Sequence, residues 1–211
     1  MSVHVSMSGS IDLTAVRASQ RGFSLIEISI VTAIVMLIAI VGIPAIQGYV
    51  IENKVPRVAE EIQRFIARVK ANTHGFGATP YSGIDGGTLA NALRSSGVVS
   101  VTGQGPGATV AHGLGGSGTS GRGVITVASQ SIAGGAGGSA FSLTFNDVNH
   151  AACPALASVL QRAAEVVTIS GQAGPVVVKN TSTEPGMAYN AILADAQCLA
   201  GERNTFSFTV R

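Results

Sequence analysis

The chain has 211 residues, of which only 11% are charged, with a formal net charge of +2, no tryptophan and 27 glycines. That length suits one folded domain plus a short accessory element. With no clustered Lys/Arg face, the composition argues against a nucleic-acid binder.

Residues 1–22 form a polar, poorly patterned leader that includes Arg17 and Arg21 and ends at Gly22. Behind it, from Ile28 to Ile51, no charge occurs and Ile, Val, Ala, Leu and Met dominate. A bilayer-spanning helix needs roughly 20 apolar residues, so this run is long enough to cross. The arginines before it place the amino terminus in the cytoplasm and everything after the span outside, so the protein starts as a single-pass inner-membrane precursor. Two features are unusual for an anchor. Glu27 lies just inside the apolar edge, where a carboxylate dragged to mid-membrane costs about 2.5–3.5 kcal/mol. The small Gly22 precedes the apolar run, whereas an ordinary secretory signal is cut beyond it. Cleavage at Gly22 would keep the run and expose a Phe23 ammonium four residues before Glu27. In a bundle of identical, axially staggered helices, the carboxylate of one copy could then meet the amine of the next. Such a buried pair fixes register more than it adds stability. The plainer alternative is a glutamate that snorkels to water.

Glu52-Asn53-Lys54 marks the exit from the membrane, and Pro56 predicts a kink in the continuing helix. Val55, Val58, Ile62, Phe65, Ile66 and Val69 recur at spacings of three and four, with Glu60, Arg64 and Arg68 on another face. One helix over 23–72 is predicted, membrane-spanning below and amphipathic above, with residues 73–211 as a head. Its upper half needs a sheet to cover it. A short helix is predicted at 89–93 and strands at 98–101 and 124–128. Between those strands, 103–123 is dense in glycine and reads as a flexible surface loop. Phe141, Leu143 and Phe145 alternate with polar residues as in a half-buried strand. A helix over 150–164, a hairpin about 171–174, a short helix within 188–199 and a last strand at 205–210 complete the order. Cys153 and Cys198 are the two cysteines. Outside the cytoplasm a lone pair forms a disulfide or, failing that, remains as two buried thiols.

The preface Gly22-Phe23-Ser24-Leu25-Ile26-Glu27 followed by an apolar helix resembles the type IV prepilin signal. The resemblance implies that a prepilin peptidase cuts after Gly22 and methylates the Phe23 amine, and that Glu27 acts in assembly. Gly42 and Pro44 match a pair at which pilin helices loosen inside the fibre. A second, looser resemblance covers residues 149–211. The order Cys153, helix, strand, turn, strand, helix, Cys198, final strand is similar to the disulfide-bounded region of type IVb pilins, in particular the PilS-type major pilins of thin conjugative pili. Phe23 as first mature residue is commoner in type IVa pilins. Together these imply an α+β pilin fold, a long N-terminal helix on an antiparallel sheet, and a subunit that polymerises with itself into a surface fibre serving conjugation, adhesion or aggregation. An assembly ATPase and a platform membrane protein are the implied partners, with no nucleic acid bound directly.

No catalyst is legible. His4, His74, His112 and His150 are scattered, and no HExxH, CxxC, G-x-S-x-G or Walker-type lysine loop occurs. His150 stands three residues before Cys153, but a surface histidine beside a structural cystine outweighs a Cys–His nucleophile. The carboxylates are too sparse for a calcium loop, unlike the main pseudopilin family of type II secretion, so neither metal nor cofactor is expected. Asn180-Thr181-Ser182 fits a glycosylation sequon that arises often by chance. The alternatives to a major pilin are a pseudopilin or minor pilin, and then a single-span periplasmic enzyme or binding protein.

Overall fold

The computed structural model describes residues 22–73, 77–171, 174–183 and 185–211. The leader through Arg21 and His74 therefore lie outside the described residues. The chain divides into two compact units, Met1–Gly42 and Ile43–Arg211. Helix α1 (Leu25–Thr73) supplies the described part of the first unit and the opening of the second. Its bounds lie within two residues of the prediction, and it stays helical through Pro44 and Pro56.

In the first unit the apolar side chains point outward. Ile28, Val31, Ile34, Val35, Ile38 and Val41 are all more than half exposed. Such exposure suits a segment whose solvent is lipid or other helices. Thr32 neutralises its hydroxyl by donating to the Ile28 carbonyl at 2.7 Å.

The second unit is built on a seven-stranded sheet, antiparallel throughout, in the order β1-β2-β3-β4-β7-β5-β6. The strands are β1 (Ser100–Thr102), β2 (Thr109–Ala111), β3 (Val124–Gln130), β4 (Ala140–Asn149), β5 (Val166–Gly171), β6 (Gly174–Asn180) and β7 (Glu202–Val210). The predicted stripe Val55, Val58, Ile62, Phe65, Ile66 and Val69 is buried to the last residue, and Phe65 meets Phe141 of β4 edge-on at 6.3 Å. On β7, Asn204, Phe206, Phe208 and Val210 alternate inward, and Phe208 packs edge-on against Phe145 at 5.8 Å. Phe65→Ala is expected to destabilise the head by about 3–5 kcal/mol, because the void sits between helix and sheet where neither can collapse. Chemical denaturation of the detergent-solubilised protein would read this as a lower midpoint.

Three short helices complete the head. In α2 (Gly86–Leu93), Asp85 caps the start by accepting from the Thr88 amide at 2.9 Å. The helix predicted over 150–164 is divided: a 3-10 turn at His150–Ala152, then α3 (Cys153–Leu160) with Pro154 in its first turn. Lys179 of β6 donates to the carbonyls of Gln161 and Ala164 at 2.6 and 2.7 Å, satisfying groups left open where α3 ends. In α4 (Ala191–Ala196), shorter than predicted, Asn190 caps by accepting from the Leu193 amide.

The glycine-dense stretch departs most from expectation. Residues 103–123 contain β2, paired with both β1 and β3, a turn at Gly105–Gly107 that lies against the start of α2, and a stretch about Leu114-Gly115 that lies against β4. His112 and Leu114 are fully buried, and the Asn149 amide donates to the Leu114 carbonyl at 2.8 Å. Gly115 has φ +143°, and a Cβ there would run into the Asp147 carbonyl, so the loop can approach β4 only with glycine at this point. The segment is docked at its middle, while residues 103–107 and 119–122 stay exposed.

Candidate functional site

The sequence places its functional residues at the amino end of α1. Ser24 opens the helix: its carbonyl accepts from the amides of Glu27 and Ile28 at 3.0 and 3.1 Å. Glu27 lies in the first turn, where a carboxylate opposes the positive end of the helix dipole. One of its oxygens lies 3.5 Å from the Ser24 amide, the reach-back half of a capping box. Phe23, 77% exposed, shares a shallow cleft with Glu27, Ile28, Val31 and Thr32. The structure thus gathers Phe23 and Glu27 at one helix end, with Glu27 turned back along the chain toward the residue beside Phe23. Gly22 is exposed immediately ahead of them.

Gly42 is helical, and a Cβ there would meet only the Ile38 side chain, at 3.9 Å. Among the described residues nothing requires glycine at that point. Pro44 also lies within α1.

Cys153 and Cys198 are joined, with Cα atoms 6.0 Å apart and a sequence separation of 45. The bond ties the first residue of α3 to the segment just after α4. It leaves Cys153 no free thiol, so the His150–Cys153 pair has no nucleophile. Among the described residues no group of three His, Cys, Asp or Glu could hold a metal ion.

Sequence reasoning missed two buried polar residues. His112 accepts from the Leu114 amide at Nδ1 (3.0 Å), so its Nε2 carries the proton and donates to the Asn146 carbonyl at 2.8 Å. Burial holds its pKa below the ordinary histidine value, against the opposing pull of the Asn146 carbonyl and of the Asp147 and Glu202 carboxylates. A second proton would sit on Nδ1, facing an N–H. The folded pKa is depressed, so the histidine's contribution is complete above the unfolded value of about 6.5 and is lost as pH falls through the folded value. Unfolding midpoints are therefore expected to drop between pH 7 and pH 5, and NMR should show the His112 ring still neutral where exposed histidines are charged. Asn204 is the second. It accepts from the Leu199 amide at 2.7 Å and donates to the Leu199 and Val148 carbonyls at 2.9 and 3.1 Å, joining β7 to the cystine segment and to β4. Its signal was parity, since it shares the inward phase of Phe206 and Phe208. His112 gave no comparable sign.

An N-terminal helix long and apolar enough to cross a membrane, with a head of antiparallel sheet closed by one disulfide, defines a pilin-like protein. Residues 57–211 match the PilS N-terminal family, and the chain belongs to that family. The resemblance drawn from the sequence is borne out. Similar solved structures include the type IV b pilin from Salmonella typhi, at 21% identity and TM-score 0.46, covering 71% of this chain and 97% of that one. Another is TcpA, a type IV pilin from Vibrio cholerae El Tor biotype, at 16% identity and TM-score 0.46, covering 75% and 99%. No curated protein matches the sequence.

Proposed function

We propose that this protein is the structural subunit of a type IV pilus. It is made as a membrane-anchored precursor, cut after Gly22 by a prepilin peptidase, methylated on Phe23 and polymerised through α1 into a surface fibre for conjugation, adhesion or aggregation. The observation that carries the reading is the family match, because it starts at residue 57 and owes nothing to the Gly22–Glu27 signal. Two separate stretches of chain point the same way. The exposed apolar surface of residues 28–43 supports it further. Passing from lipid to a bundle of like helices keeps roughly the same area buried, so extraction by an assembly ATPase and platform protein need not overcome the whole transfer cost. Glu27 would pair with the Phe23 amine of a neighbouring copy and set the axial step. Gly42 and Pro44 would let the helix loosen once packed.

Intact mass and N-terminal sequence of the most abundant small protein sheared from expressing cells test this. A chain beginning at methylated Phe23, two mass units light for the cystine, is the expected result. A processed chain confined to the membrane would favour a pseudopilin or minor pilin. An intact leader on the protein would overturn the proposal.

A further inference from the structure

A cleft of about 570 Å³ lies in the head between the upper part of α1 and α3. Ile66, Ala67, Val159 and Ala163 give it an apolar floor, and Lys70 and Arg162 stand at its margins. Both cations are exposed, and neither has an ion-pair partner among the described residues. A weakly hydrated guanidinium and an ammonium beside an apolar floor suit an apolar group that carries a carboxylate next to it.

The same chain presents such a group elsewhere. Ile192 is 83% exposed on α4, the most exposed large apolar side chain among the described residues of the second unit. Asp195 follows three residues later, on the same side of the helix, exposed and without an ion pair among the described residues. None of the residues lining the cleft belongs to α4, so cleft and knob are different patches.

We propose that the exposed face of α4, with Ile192 and Asp195, seats in the α1–α3 cleft of a second copy of this chain. Ile192 covers the floor, and Asp195 lies between Lys70 and Arg162. Each copy takes one neighbour's knob in its cleft and gives its own knob to another, a heterologous contact, and with a rotation that does not close on itself repetition gives an open helical chain. The contact thus joins heads along a fibre, and it rests on the pilus-subunit reading above.

The test uses the full-length protein in cells that assemble wild-type fibres. With Ile192→p-benzoylphenylalanine, irradiation of sheared fibres should give a dimer band whose cross-linked peptides map to residues 63–70 or 158–163. Arg162→Glu and Asp195→Lys, both at exposed positions, should each lower fibre yield by about tenfold or more, since like charges then face each other. The two together should recover most of the yield. Intact fibres whose cross-links map elsewhere, or to another protein, would overturn the contact and leave the pilus reading standing, as would single reversals without effect. If the wild-type chain forms no fibre at all, the pilus reading fails and the contact with it.

Discussion

Glu27→Ala should leave the precursor inserted and processed at normal levels while fibres disappear or become few and short. Removing a carboxylate from the edge of an apolar run can only ease insertion, so any loss must arise after the membrane step. Within one chain the carboxylate does little: it lies 3.5 Å from the Ser24 amide at an exposed helix end, an interaction of a few tenths of a kcal/mol to about 1 kcal/mol. A large assembly defect would therefore report a partner outside the chain. Glu27→Gln separates the causes, since it keeps shape and some hydrogen bonding but loses the charge. It should fail nearly as badly as alanine if an ammonium is the partner. Electron microscopy of fibres, set against immunoblots of the processed protein in membranes, is the measurement. Normal fibres from either variant would sink the charge pairing.

Replacing both cysteines by serine is expected to destabilise the head by about 4 kcal/mol, the chain-entropy value for a loop of this length. Most of a small domain's stability is of that order, so the variant should unfold or be degraded outside the cytoplasm. The loop closed by Cys153–Cys198 contains α3, β5, β6 and α4, and β5 bonds to β7 on the far side of Cys198. The bond thus limits where a third of the head can wander while β7 finds its place. Denaturation of the oxidised and reduced wild type, and of the double variant, would show the loss. Equal midpoints would mean the cystine merely decorates a sheet already stable without it.

Both the long helix and the last strand were legible because they depend on local periodicity. Val55 to Val69 repeats at helical spacing, and Phe206, Phe208 and Val210 alternate, so burial could be read without knowing the partner. The PilS-like resemblance of residues 149–211 was legible from the order of elements about the two cysteines. What escaped depends on long-range contacts. Thr109–Ala111 is too short to show any period, yet it is held between β1 and β3. His112 is locked by a carbonyl 34 residues away, and nothing near it in sequence signals burial. β4 continues past Phe145 through an irregular register at Asn146-Asp147, beyond the alternation of Phe141, Leu143 and Phe145. The last strand, predicted from residue 205, already begins at Glu202. The processing and assembly roles proposed for Gly22, Phe23 and Glu27 rest on motif resemblance, since a cut site and a neighbour's amine leave no mark on one chain's packing.

The position of β7 bears on the order in which the head can form. Among the described residues it is the strand that links the two halves of the sheet, lying between β4 and β5, and it is later in sequence than the other six. Until it arrives, β4 and β5 each present an open edge beside exposed phenylalanine and isoleucine, the arrangement most prone to pairing with a stranger. In a chain that emerges residue by residue, the β1–β4 meander and the β5–β6 hairpin can form early but cannot join. The head must therefore persist as two unfinished halves until β7 emerges, which makes that interval the one in which a chaperone would be of most use.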